Sequence, residues 1–370
     1  MIKVLHCYKT YYPDTFGGIE QVIYQLAEGG VKEDIASTVY THSPENAGEF
    51  NLDHHKCVRS KTFFEIASTP FSLASFRRFK QLAEDADIIH YHFPYPFMDM
   101  LHFSLTRNKP SVVSYHSDIV KQKSLLKLYT PLMNRFLSSV DRIVAASPNY
   151  VESSPVLQHF KDKVEVIPYG LDKKFYQNDD PAVLQKWQTR FPDGFFLFIG
   201  TFRYYKGLHI LIEAAKNSSY PIVVVGAGPI EAELKSQAQR LGVENIHFPG
   251  ALEDSHKSAL LQLCTCLVFP SHLRSEAFGI SLLEGALYSK PLISSEIGTG
   301  TTFINIDRVT GLVVPPSDPV ALRTAMDEIW HNPDLAMRYG TAASARFESL
   351  FTAAKMIESY TKLYKSLLNV

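Results

Sequence analysis

The sequence lacks any apolar run that approaches the ~18 residues of a membrane-spanning helix. Its opening, MIKVLHCYKTYYP, has too short an apolar stretch for a signal peptide and reads as a first strand. It also lacks an excess of charge. In 370 residues, 37 Lys and Arg stand against 38 Asp and Glu, a formal net charge of −1. A nucleic-acid binder would carry a clear basic surplus, so nucleic acid is not an expected partner. Cysteine is scarce: Cys7, Cys57, Cys264 and Cys266 show no C-x-x-C spacing. That excludes a zinc ribbon or a disulfide scaffold and suits a reducing cytoplasm. His54, His55 and Cys57 have no second ligand pair at zinc-site spacing and read as a polar loop. Cys264 and Cys266 share one face of the apolar strand CTCLVF and read as small core residues. No low-complexity segment and no short-period repeat is present. The G-x-G-x-x-G fingerprint with an acidic residue ~20 positions on is missing, which argues against a nicotinamide dehydrogenase.

What is present is an ordinary globular mix, 45% hydrophobic and 20% charged, at a length that suggests two domains. Short apolar runs alternate with helical patterns. Strands are expected at 2–8, 36–41, 87–92, 111–116, 142–147 and 164–170, with helices at 17–29 and 125–138. Each run is nearly continuous in apolar residues, as buried parallel strands require. Residues 171–183 are polar and turn-rich and read as a linker. A second alternation follows, with strands at 195–200, 221–228, 245–250, 267–272, 291–296 and 311–316. Its helices fall at 207–216, 229–241, 254–264, 276–288 and 318–330, with Asp318-Pro319 as N-cap and first-turn proline. The tail, 334–368, is helical in pattern. The fold class is α/β: two Rossmann-like halves facing across a cleft. The expected domains are 1–172, joined by a returning C-terminal helix at about 350–370, and 173–349.

Four features carry chemistry. Gly17 and Gly18 stand between the first strand and a helix, where backbone N–H groups can approach an anion; a plain turn is the alternative. Arg203 and Lys206, in IGTFRYYKG, follow the first strand of the second half. Two cations at the carboxyl end of a strand suit a diphosphate, and as loop residues each should matter little to stability. In SEAFGISLLEGAL, Glu276 and Glu284 flank the helix entry Phe278-Gly279-Ile280. Carboxylates there accept from sugar and ribose hydroxyls, and amides at a helix start favour phosphate. His116 ends a strand of the first half and would face the cleft. His90 and His92 are rivals, of which strand alternation would turn one into the sheet.

Taken in order, YYPDTFGGIE, DIIHYHFP, YHSD, VIPYGLD, GTFRYYKG, VVVGAGP, HFPGAL, FPSHLRSEAFGISLLE and GLVVPPSD span nearly the whole chain. The set resembles the retaining nucleotide-sugar glycosyltransferases of family 4, with the GT-B fold. It is similar to enzymes that build bacterial O-antigens, lipopolysaccharide and other polysaccharides, several of them GDP-mannose users. The resemblance implies that Gly17 and Gly18 line the acceptor and phosphate side, and that His116 contacts the donor sugar. It implies that Arg203 and Lys206 bind the diphosphate, Glu276 a sugar hydroxyl, and Glu284 the ribose. Three departures stand out. Arg203 is only three residues before Lys206, Tyr169 stands where Asn is common, and EIGTGTTFIN (296–305) lacks the usual Gly-Gly-Leu-Pro-Glu run.

The implied reaction is front-face transfer of mannose from GDP-mannose to a hydroxyl of a lipid-linked glycan, with retention. A UDP-sugar donor, or a non-catalytic nucleotide-sugar-binding subunit, is the alternative. No cofactor is expected beyond the donor, and Asp85-Ala86-Asp87 imitates a metal-binding D-x-D without standing near the phosphate loop. Cations mix with Phe, Leu and Tyr in 56–80 (Lys56, Arg59, Lys61, Arg77, Arg78, Lys80) and 121–137 (Lys121, Lys123, Lys127, Arg135). That composition suits peripheral contact with anionic lipid at the inner face of the cytoplasmic membrane; a solvated basic face beside a helix that packs on the sheet is the alternative.

Because side chains and helix termini neutralise the leaving group in this reading, activity should survive EDTA. Full loss, restored by Mn²⁺ or Mg²⁺, would overturn it.

Overall fold

The computed structural model describes residues 1–66, 69–105, 109–119, 123–176 and 180–370. They form two units, Met1–Gly170 with Ala353–Val370, and Leu171–Thr352.

The strands of the first unit are β1 Ile2–Cys7, β2 Ile35–Ser43, β3 Gly48–Leu52, β4 His55–Lys61, β5 Phe64–Ile66, β6 Thr69–Phe71, β7 Ile88–Phe93, β8 Ser111–Tyr115, β9 Arg142–Ala145 and β10 Val164–Val166. Eight of them form one sheet in the order β10-β9-β8-β7-β1-β2-β4-β3, and β5 and β6 pair as a separate ribbon. Within the sheet every pairing is parallel except β3–β4. β7 is buried at all its positions, which is why its sequence runs apolar without alternation. Helix Ala353–Leu368 lies against helix Gly18–Gly30 and returns the end of the chain to this unit.

The second unit has β11 Phe196–Ile199, β12 Ile222–Val225, β13 Ile246–Gly250, β14 Cys266–Phe269, β15 Leu292–Ser295 and β16 Gly311–Val314, in the order β13-β12-β11-β14-β15-β16. All its pairings are parallel. Phe196, Phe198, Val224, Val268, Ile293 and Met326 form its fully buried core. Helix Pro319–Trp330 opens as the sequence suggests: the Asp318 carboxylate accepts from the N–H groups of Val320 and Ala321, and Pro319 needs no acceptor.

In each sheet the first strand has its next neighbour on one side and a later strand on the other. The order reverses between β1 and β7, and again between β11 and β14. Ligands of open α/β sheets bind at such switch points, beyond the carboxyl ends of the strands. The loops that carry Gly17 and Gly18, Arg203 and Lys206, and Glu276 all leave a strand beside one of them.

Several expectations need correction. The expected strands run one to four residues too far at several carboxyl ends; those residues begin the loops. His54, His55 and Cys57 are not a polar loop: His55 begins β4, within an edge hairpin whose β3 partner is too exposed to signal a strand. The basic stretch 56–80 is not one element but β4, the β5–β6 ribbon and helix Ala74–Asp85. Residues 171–176 are no free linker, because buried Leu171 donates its N–H to Phe351 O within the second unit. The helical tail breaks after Leu350, and helix Ala353–Leu368 restarts in the other unit. The Asp85-Ala86-Asp87 triplet lies at the amino end of β7, where Asp87 accepts from the Lys3 backbone N–H at 2.8 Å.

Candidate active site

The loop after β11 turns closely at Gly207. Gly207 has φ +72°, and a Cβ there would meet Pro270 O at 2.0 Å. The loop therefore presses on the exit of β14. His272 locks it from that side: its backbone N–H donates to Tyr205 O, and its ring bonds Tyr204 O and Ser317 Oγ. Sequence reading missed His272, because nothing in HLRSEAF marks it as a brace.

Lys206 and Glu276 form a hydrogen-bonded ion pair, with only 13% and 11% of their side chains exposed. The Lys206 ammonium also lies 4.7 Å from the Phe269 ring centroid. Burial works to lower its pKa, but Glu276, Tyr205 and Glu284 outweigh burial and raise it above the ordinary lysine value. Ser271 Oγ donates weakly to the same Glu276 oxygen at 3.4 Å. Glu284 lies in helix Ile280–Leu287 and accepts from Tyr176 at 3.1 Å. Burial raises its pKa, against Lys257 and Tyr176. Arg203 is exposed, and its side chain makes no hydrogen bond or ion pair among the described residues, although its carbonyl accepts from the Lys206 N–H. The structure thus gathers Lys206, Glu276 and Glu284 electrostatically and leaves Arg203 at the rim.

The helix expected at 276–288 starts only at Ile280. Its N-cap, Gly279, takes φ +100°, and Phe278 is buried just before it. Glu276 therefore stands on a turn rather than on the helix. Gly300 donates to Ala277 O, and Arg274 to Gly298 O at 3.0 Å, so the atypical 296–302 loop closes on this turn. Thr299 Oγ1 is buried there with no partner among the described residues.

In the first unit, His116 follows β8 and is 5% exposed. Both its ring nitrogens are engaged, Nε2 with His92 at 2.9 Å and Nδ1 with the Tyr169 hydroxyl. The expectation that one of His90 and His92 turns into the sheet is wrong, since residues two apart share a face. Both lie on the face of His6 and His116, with centroids 4.3 Å apart. His92 Nε2 bonds His6 Nδ1 at 3.2 Å; His90 bonds the Tyr364 hydroxyl and Ser114 Oγ, each at 2.7 Å. Tyr360 and Tyr364 come from helix Ala353–Leu368, which covers this layer. His6, His90 and His92 present nitrogens within 4.8 Å of one another, yet the two of His90 and the two of His92 are all taken by hydrogen bonds. Burial lowers His6 and His116 to about 3, and His90 and His92 well below the usual value, so the layer is neutral.

His55 is also structural: its ring bonds Glu28 and the Tyr11 hydroxyl. Burial pushes the Cys57 thiol up to about 12. Gly17 caps helix Gly18–Gly30 in extended conformation, without a side-chain cap.

Two descriptions of known families match the chain: "Glycosyltransferase Family 4" over residues 16–175 and "Glycosyl transferases group 1" over 181–346. The chain is 56% identical over 368 residues to the O-antigen chain mannosyltransferase C of Escherichia coli, covering 99% of each. It is 55% identical over 353 residues to the D-rhamnosyltransferase WbpZ of Pseudomonas aeruginosa, covering 95% of this chain and 93% of that one. Among solved structures, a sucrose-phosphate synthase from Thermosynechococcus elongatus shares the fold, with a TM-score of 0.82, 20% identity and full coverage of both chains.

Two outcomes follow from this geometry. Contrary to the loop-cation expectation, Lys206→Ala strands a buried carboxylate and should cost about 3 kcal/mol. Arg203→Ala should cost under about 0.5 kcal/mol; urea unfolding of both variants checks the contrast. Acid should unfold the first unit early. Its buried imidazoles stay neutral while unfolded ones protonate near about 6.5. The unfolded chain then binds more protons between that pH and about 3, the value of His6, His42 and His116. Stability therefore falls as pH drops through this window, by up to about 1.4 kcal/mol per pH unit for each such histidine. Urea midpoints that stay flat from pH 7 to 5 would contradict the neutral layer.

Proposed function

Since the chain belongs to glycosyltransferase family 4, with the GT-B fold, we propose that it is a retaining α-mannosyltransferase. It moves mannose from GDP-mannose to a hydroxyl of a lipid-linked glycan in bacterial O-antigen or other lipopolysaccharide synthesis. The observation that carries the reading is the 56% identity, along almost the whole length, to an O-antigen mannosyltransferase. The cationic loop at the β11–β14 switch point supports it chemically.

In this reading the second unit takes the donor. Lys206 gives one N–H to Glu276 and keeps two for the diphosphate, joined by the otherwise unpaired Arg203. Glu276 retains a second oxygen for a sugar hydroxyl. Glu284, whose first oxygen accepts from Tyr176, offers its other to the ribose. Phe278, Gly279 and Ile280 present the start of a helix, whose amides complement phosphate. As the anomeric C–O bond breaks, charge grows on the leaving diphosphate, and preorganised cations stabilise it. The leaving phosphate takes the proton of the acceptor hydroxyl, which attacks on the same face. No metal takes part, since side chains supply the positive charge.

The first unit takes the acceptor. No helix among the described residues is long and apolar enough to cross a membrane. Part of the basic surface is spent internally: Lys56 and Arg78 pair with Glu49, and Arg59 with Asp14. Lys61, Arg77, Lys80, Lys127 and Arg135 remain, Arg135 over the Phe103 ring, near exposed Phe63, Phe64, Leu73 and Leu128 in the same segments. Lys121 lies outside the described residues, as does the Lys123 side chain. This remnant supports peripheral contact with anionic lipid on the cytoplasmic side.

Calorimetry with GDP and UDP tests the donor. GDP should bind more tightly, and tighter UDP binding would decide for a UDP-sugar. The 55% identity to a D-rhamnosyltransferase favours one second reading, a 6-deoxymannose donor. The mass of the transferred sugar separates the two.

A further inference from the structure

The segment that opens the second unit is polar in sequence, yet Tyr176 within it is held at both ends. Lys173–Tyr176 forms one short 3₁₀ turn, started by Asp172, whose carboxylate accepts from the Lys174 N–H at 3.0 Å. The turn delivers Tyr176 to helix Ile280–Leu287. The Tyr176 hydroxyl donates to Glu284 Oε1 at 3.1 Å, and the Tyr288 hydroxyl donates to the Tyr176 carbonyl. Glu284 and Tyr288 are four residues apart and so share a face at the end of that helix. Ser258, on helix Asp254–Leu263, donates to the same carbonyl at 3.3 Å. Tyr176 therefore has its phenol on the carboxylate and its backbone clamped by two hydroxyls.

The carboxylate gains from such a hold. Ordering a glutamate side chain costs conformational entropy. A residue that orders it before the ligand arrives removes that cost from binding. Two cations also act on this carboxylate, Lys257 and Lys206, and would draw a loose one toward themselves. Among the described residues, Tyr176 is the only hydrogen-bond donor to the Glu284 side chain. It is a neutral donor, so the negative charge stays. It uses one lone-pair position of about four. Oε2 accepts from no described residue. What is left suits two neighbouring hydroxyls that both donate, as the 2′ and 3′ hydroxyls of a ribose do.

We propose that Tyr176 is a positioning residue of the nucleotide site: it holds Glu284 so that the second oxygen takes the ribose hydroxyls, and it thereby sets the preference for a ribonucleotide over a nucleotide that lacks them. This rests on the reading that the second unit takes the donor. Tyr176 acts through the carboxylate. It makes the segment that follows Gly170 part of the nucleotide site rather than a bare connector.

The test uses the full chain and calorimetry with GDP and its 2′,3′-dideoxy analogue. The UDP pair is run alongside, because the contact is to ribose and not to the base. The unaltered chain should bind the ribonucleotide at least about tenfold more tightly than the analogue, the scale of a hydrogen bond to a charged group. Tyr176→Phe should lower that ratio about threefold. It should leave affinity for the analogue unchanged, which also shows that the variant is folded. Glu284→Ala should bring the ratio close to one, and adding Tyr176→Phe to it should change nothing further. The pH profile gives a second readout. Burial raises the Glu284 pKa, and Lys257, Tyr176 and Lys206 hold it down against Asp254. Without the phenol the carboxyl keeps its proton to higher pH. As pH falls, ribonucleotide binding should therefore weaken at a higher pH in Tyr176→Phe than in the unaltered chain, while analogue binding does not. An unchanged ratio in Tyr176→Phe, equal losses for both nucleotides, or an effect that persists without Glu284 would each overturn the proposal. An unaltered chain that binds neither pair, or binds ribonucleotide and analogue alike, would instead overturn the donor reading on which it rests.

Discussion

Parallel pairing is the constraint on which the rest of the structure depends. In a parallel sheet every strand leaves at the same edge, so the loops that follow the strands collect there. The β3–β4 pair is the one antiparallel step in the two large sheets, and it sits at an outer edge, away from either switch point. The cost of this arrangement is that both faces of each sheet must be covered. The second unit meets it mainly with apolar side chains. The first unit does not, and places imidazoles and phenols on one face.

That difference gives the two units different physical characters. A polar layer inside a protein is stable only when each group has a partner. The rings of His92, His116 and His90 satisfy this through one another and through Ser114, Tyr169 and Tyr364. Such a layer tolerates little change in any member, since removing one leaves its neighbours without partners. The second unit buries polar groups as well, Asn305 with Ser294 and Thr310 among them, but at the Lys206–Glu276 pair the buried partners are charged. A buried pair of this kind is poor at adding stability. Its presence beside a helix start is better explained by what binds there.

Much of this was legible in the sequence. Near-continuous apolar runs mark parallel strands, and twelve of the sixteen elements of sheet were visible that way. Of the four that were not, β3, β5 and β6 are short or lie at an edge, where exposure erases the pattern, and β4, beside the edge strand, mixes polar residues into its run. Lys206, Glu276 and Glu284 were legible because a cation after a strand and carboxylates around a helix start are rare together. Their pairing was not, since it depends on how closely the turn at Gly207 approaches Pro270. The histidine layer was misread for a simple reason. Residues 90 and 92 share a face, and only the register of β1, β7 and β8 reveals that His6 and His116 join them.

The return of helix Ala353–Leu368 to the first unit orders events on the ribosome. Synthesis runs from the amino end, and domains generally fold as their residues emerge. Here the first unit is complete in sequence except for the element that carries Tyr360 and Tyr364. Its histidine face stays wet while all of Leu171–Thr352 is translated. The second unit, continuous in sequence, has everything it needs before the first does. The nascent chain therefore finishes its later half first, and a stalled or clipped chain that ends before Ala353 displays an unclosed sheet to chaperones and proteases.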